Sequence, residues 1–251
     1  MAMRLRQIAL VARDLEAVAT DIAEVLGLEI AFRDPAVASF GLVNVVLPVG
    51  DGFLEVVSPR EPGTTAGRLL DKRGGDGGYM VILQMEDIAA ARALAEACHV
   101  RVVASADRDG VWMTHLHPRD VGGAILSLDA MDPPERWDWG GPDWQAHVRT
   151  EVTLALTGVE LQGPDPEALA RRWGEVLGLP VQSREDGFEL AMDRSSIRFV
   201  LARDERGEGV SALEVLVRDR AEVMGRARSR GCLDGQGQVV LGGTRIDLVL
   251  A

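Results

Sequence analysis

Cysteine is scarce in this 251-residue chain, with only Cys98 and Cys232. Two thiols cannot build a disulfide framework, and they fit a reducing cytoplasm. Positive charge is also in short supply: 27 Lys plus Arg stand against 39 Asp plus Glu, a formal net charge of −12. That balance argues against nucleic acid or an anionic membrane as partner, since both are gripped through basic surface. No apolar run approaches the roughly 18 residues of a bilayer span. The opening MAMRLRQIALVARD enters a strand pattern at once, without a signal peptide's apolar stretch and cleavage site. There is no Gly-x-Ser-x-Gly elbow and no evident Cys–His arrangement. What is left is an ordinary globular composition, 47% hydrophobic and 26% charged, long enough for one large domain or two ordinary ones.

What the chain does have is repetition. IALVARDLEAVATDIAEVLGLEI, from Ile8, lies without a gap over VELQGPDPEALARRWGEVLGLPV, from Val159. Asp14 meets Asp165, Glu16 meets Glu167, and EVLGL at Glu24 to Leu28 meets EVLGL at Glu175 to Leu179. A match of that length points to duplication. Each copy reads as a strand and then a helix. Asp14 and Asp165 suit the N-cap, where a carboxylate accepts from free amide N–H groups. Leu15, Val18, Ile22 and Val25 recur at helical spacing, and Gly27 and Gly178 end the helices in the left-handed conformation that glycine adopts cheaply. Weaker copies follow at Tyr79, with Asp87 as cap, and at Val210, with Asp219 as cap and Gly231 as stop. With the short β-type segments after each helix, the chain reads as four βαβββ units, near 1–58, 74–131, 150–203 and 208–251. The fold class is therefore α+β. The stretch DPPERWDWGGPDW, Asp132 to Trp144, is a linker by its prolines and glycines. Trp137, Trp139 and Trp144 predict that it packs on a surface. The expected domains are 1–131 and 150–251, joined by 132–149.

Strand, Asp, helix, VLGL and three strands ending in FLE resemble the vicinal oxygen chelate superfamily, the group of glyoxalase I, bleomycin-resistance proteins, extradiol dioxygenases and methylmalonyl-CoA epimerase. HLHPRDVGGAILSLD, His115 to Asp129, is similar to the epimerase's closing hairpin. The resemblance implies two glyoxalase-like domains with curved mixed sheets around a cavity. It also implies a divalent metal held by the first and last strands of each unit, working as a Lewis acid on two neighbouring substrate oxygens. Carried over position by position, the ligand set falls on Gln7, Glu55, Met80 and Ser127 in the first domain. In the second it falls on Gly158, Phe199, Ala212 and Asp247. Gln7 and Glu55 are acceptable oxygen donors, whereas a thioether is a poor partner for a hard or borderline ion. A conventional four-ligand centre is thus not expected in either half.

His115 and His117 stand at i and i+2 on an expected strand, so both rings should project to one face. There they could join Gln7 and Glu55 in a rearranged metal site, or act as general bases. The competing reading has His117, before Pro118, fastening the hairpin turn, with His115 partly exposed. Gly74 to Gly78 precedes a strand and lacks G-x-G-x-x-G, so it reads as a flexible loop. DRDG at Asp107 to Gly110 is a turn, and Arg171, Arg172, Arg226, Arg228 and Arg230 read as solvated helix faces.

Functionally, the expectation is a protein that binds a small oxygenated metabolite in the first domain. Glu55, His115 and His117 are the candidate catalytic residues, and Gln7, Glu55 and His115 the candidate metal ligands. Such a protein would be a lyase, an isomerase or epimerase, or a dioxygenase. It would use one divalent ion (iron, manganese, zinc, nickel or cobalt) or none, with a homodimer as a possible assembly. A non-catalytic, resistance-type binding protein is the alternative.

Overall fold

The computed structural model describes residues 3–251. The first unit runs β1 (Met3–Val11), α1 (Leu15–Leu26), β2 (Leu42–Val49) and β3 (Gly52–Pro59). After α2 (Thr65–Arg73) the second runs β4 (Gly77–Met85), α3 (Ile88–Ala97), β5 (Val102–Arg108), β6 (Val111–Leu116), the short α4 (Pro118–Val121) and β7 (Ile125–Met131). The third comprises β8 (Thr153–Gly163), α5 (Pro166–Leu177), β9 (Gln182–Arg184), β10 (Gly187–Met192) and β11 (Ser195–Leu201). The fourth comprises β12 (Gly209–Val217), α6 (Arg220–Arg230), β13 (Val239–Leu241) and β14 (Thr244–Leu250).

The four expected caps are all in place. Asp14, Asp87, Asp165 and Asp219 each accept a hydrogen bond from a backbone N–H in the first turn of the following helix. Gly27, Gly178 and Gly231 end their helices in the left-handed region. Two units keep the full βαβββ count. In the first and fourth the strand after the helix shrinks to a single bridge, Phe32 to Val46 and Leu233 to Val239. Two mixed seven-stranded sheets result, ordered β2-β3-β1-β4-β7-β6-β5 and β13-β14-β12-β8-β11-β10-β9. Of Gly74 to Gly78, expected as a loop, Gly74 caps α2, an element the repeat comparison did not include, and Gly77 opens β4.

By contacts the chain forms two compact bodies. One holds residues 7–79, 138–157 and 211–251, combining the first and fourth units. In it α6 lies along α1: Arg230 pairs with Asp21 and Glu24, and Arg226 donates to the Glu24 carbonyl at 3.0 Å. The other holds residues 3–6, 80–137 and 158–210, combining the second and third units. There Arg172 of α5 donates to the Asp120 and Cys98 carbonyls, and the Trp173 indole N–H donates to Gly122 O at 3.1 Å. Arg172, Arg226 and Arg230 therefore tie helices together instead of facing only solvent. Among the described residues no helix is long and apolar enough to cross a membrane.

Candidate functional site

Strand alternation decides which side chains can meet a ligand. On β1, Leu10 turns toward α1: both it and Val18 lie against Gly242. Ile8 and Leu10 pair with Leu54 and Val56 on that helix side, so Gln7, opposite Phe53, and Ala9, opposite Glu55, use the other face. Asn44, two residues from Glu55's partner Val46 on β2, shares it.

Three polar side chains converge there, largely out of contact with water. Gln7 Nε2 donates to Glu55 Oε2 at 2.9 Å, and Asn44 Nδ2 donates to Glu55 Oε1 at 2.7 Å. Asn44 Oδ1 in turn accepts from the Asp34 backbone N–H at 2.8 Å. Gln7 and Glu55 are only 2% and 7% exposed. Burial raises the Glu55 pKa above the ordinary carboxylate range, because a charge removed from water is disfavoured. The two amide donors oppose that shift, and the nearby Asp34 charge adds to it. Tyr79 is buried too; loss of water, reinforced by the Glu55 charge, pushes its phenol up to about 12. Sequence reading missed Asn44 and Tyr79. Asparagine is depleted from strands, so the Asn in LVNVVLP was the available signal.

The same register rule runs through all four units. The residue five before the helix cap pairs with the end-of-unit position: Ala9 with Glu55, Ile82 with Ser127, Glu160 with Arg198, and Glu214 with Asp247. The third unit therefore puts Arg198, not Phe199, where Glu55 stands. Phe199 is one residue out of phase and packs on the helix side, its ring 5.9 Å from that of Trp173. Arg198 lies 3.6 Å from the fully buried Glu160 carboxylate. In the fourth unit Asp247 is paired with Arg245 at 2.8 Å and borders a cavity of about 390 Å³ with Arg220 and Met224.

The two histidines do not form a pair on one strand. β6 ends at Leu116, and His117 is the N-cap of α4, its Nδ1 accepting from Arg119 N at 3.1 Å. His115 remains on β6 as the cross-strand neighbour of Ser127. It is on the face away from α3, since Arg92 of α3 donates to the adjacent Thr114 at 2.7 Å. Half-buried, it has its pKa lowered to about 4 by loss of water around the imidazolium.

Neither body offers a divalent ion of the kind the resemblance implies a suitable donor set. In the first, both Glu55 oxygens already accept amide N–H groups; in the other, Met80 offers a thioether and Ser127 Oγ is committed to the Asp129 carboxylate. Among the described residues no three His, Cys, Asp or Glu side chains are grouped to hold a metal.

A structure of 4-hydroxymandelate synthase from Streptomyces coelicolor matches with a TM-score of 0.69 at 15% identity, covering 92% of this chain and 76% of that one. A hypothetical protein from Staphylococcus aureus matches with a TM-score of 0.68 at 10% identity over the whole of both chains. At such identities these likenesses concern the fold alone. An ethylmalonyl-CoA/methylmalonyl-CoA epimerase from Cereibacter sphaeroides is 28% identical over 131 residues, which is 50% of this chain and 96% of that protein. The glyoxalase-like domain family matches residues 8–177. With four units of the βαβββ type, two of them complete, in two mixed sheets, and with more than half its length matched, the chain belongs to the glyoxalase-like family of the vicinal oxygen chelate superfamily.

Proposed function

We propose that the chain binds a small oxygenated metabolite at the Gln7–Glu55–Asn44 face, with Glu55 as the proton-transfer group of a lyase or isomerase/epimerase-type reaction. The observation that carries this reading is a buried carboxylate gripped at both oxygens by amides. Burial raises its pKa toward the operating range of a general acid–base group, and the amides fix its direction. In such a reaction Glu55 takes a proton from carbon next to a substrate carbonyl and returns it to the same or a neighbouring atom. No step is routed through a metal, because the donor set does not suit one. His115, neutral over the physiological range, is proposed as a hydrogen-bonding group of the second unit. His117 has its Nδ1 engaged in capping. The epimerase relative supports carbonyl-adjacent proton chemistry as the class, and 1–131 and 150–251 are proposed as the two duplicated halves.

A resistance-type binder is the second reading, favoured by Met80 and Ser127 at positions where a metal enzyme would carry ligands. One experiment separates the two. Acyl-CoA thioesters, 2-oxo acids and catechols are screened by thermal shift, and each ligand found is followed by NMR for proton exchange in D₂O, with Glu55→Gln alongside. Exchange that disappears in the variant while binding persists supports the enzyme. Binding without exchange in the wild type leaves the sequestering protein.

A further inference from the structure

The segment between the halves is packed on the face that carries Glu55. Phe53 precedes Glu55 by two residues on β3 and so projects to the same side, yet it is completely buried. What covers it comes from 138–147. Trp144 meets Phe53 edge to face, ring centroids 5.0 Å apart. Gly140 is so close that a Cβ there would lie 2.5 Å from Phe53 Cε1, and one on Gly141 would lie 2.7 Å from the Phe32 ring. Gly140, Gly141 and Trp144 are buried between exposed Pro142, Asp143, Gln145 and Ala146, the pattern of a strap pressed down along one side. Its far end is pinned where His147 Nδ1 meets Glu29 at 2.7 Å and Arg149 pairs with the same carboxylate.

We propose that residues 138–147 form a cap that closes the Phe53 flank of the Glu55 site, and that Gly140 and Trp144 are its specificity-determining residues. The inference rests on the reading of Glu55 as the ligand-facing group. Because the strap occupies the space beyond Phe53, the ligand class is a compact oxygenated head that meets Glu55 and does not extend past that ring. Glycine at 140 is required because any side chain would push the strap off Phe53. Trp144 supplies the apolar area that holds it down.

The test is carboxyl labelling of the full chain with a water-soluble carbodiimide and ethanolamine, read by peptide mass spectrometry, with exposed Glu86 as internal standard. In the wild type Glu55 should be strongly protected relative to Glu86. In Gly140→Ala and Trp144→Ala its labelling should rise about tenfold, the change expected when local opening becomes easier by a single decade, with Glu86 unaltered. Trp144→Phe keeps an aromatic ring and serves if the alanine variant does not fold. Labelling of wild-type Glu55 at the rate of Glu86 would overturn the cap. So would continued protection of Glu55 in folded Gly140→Ala or Trp144 variants. The readout reports access and not turnover, so a failed ligand screen beside a protected, cap-dependent Glu55 would count against the function alone.

Discussion

Glu55 and His115 both favour their uncharged forms for one reason, loss of water, but their effects on stability have opposite pH dependence. Glu55 has a folded pKa above its unfolded value, so its favourable contribution is complete below the unfolded pKa near 4.5 and is lost as pH rises through the folded pKa. Glu55→Gln lacks that loss. In urea melts at a series of pH values, its stability relative to wild type should therefore improve on going from acid to neutral. The gain is about 1.4 kcal/mol for each pH unit separating the folded from the unfolded pKa. A pH-independent difference would mean that the carboxyl is not perturbed. His115 has a folded pKa lowered from 6.5 to about 4, so its contribution is present above 6.5 and drains away as pH falls through 4. Its imidazole resonances should stay in the neutral position through pH 5.5, and His115→Gln should flatten the acid limb of the stability profile. An NMR titration midpoint near 6.5 would contradict this. Gln7 and Glu55 were legible as residues from the repeat and its resemblance. Asn44 was not: the Gly50-Asp51 turn makes the β2–β3 hairpin readable, but the register that sets Asn44 diagonal to Glu55 comes from the ladder itself.

At the level of elements, the boundaries of the four main helices were readable because caps and stops are local chemistry. Asp14→Ala and Asp165→Ala should each cost about 0.5–2 kcal/mol in denaturant melts, the loss of one side-chain bond to a first-turn amide. The stop glycines are chemically identical in the two EVLGL copies, yet they differ in surroundings. A Cβ on Gly27 would sit 2.6 Å from Val152, whereas one on Gly178 would meet only the end of Leu94 at 3.1 Å. Both substitutions to alanine incur the left-handed penalty of roughly 1–2 kcal/mol. Gly27→Ala should lose about a further 1–3 kcal/mol through overpacking; equal melts for the two variants would refute the distinction. Register, in contrast, needed the ladder itself. Placing Phe199 in line with Glu55 is an error of one residue, and in a strand one residue exchanges the two faces.

For the molecule as a whole, duplication did not reveal which units would pack together. The first packs with the fourth through α1 and α6, where Arg230 pairs with Asp21, and the first residue of β8 joins them, Thr153 donating to the Leu26 carbonyl at 2.7 Å. A fragment of residues 1–131 would leave this side of α1 bare. It should bind more of an apolar fluorescent dye than the full chain and form larger species by light scattering; a fragment that melts cooperatively without added dye binding would argue against the dependence. The sequence by itself determined the α+β class, the four units, and their caps and stops, since these rest on residue chemistry and periodicity within short windows. Tertiary structure alone decided that Glu55 is gripped by Gln7 and Asn44, that Arg198 takes the equivalent place in the third unit, and that the Trp-rich linker lies on Phe53. Each of those depends on strands and loops distant in the chain being brought side by side, which is a matter of packing and not of local preference.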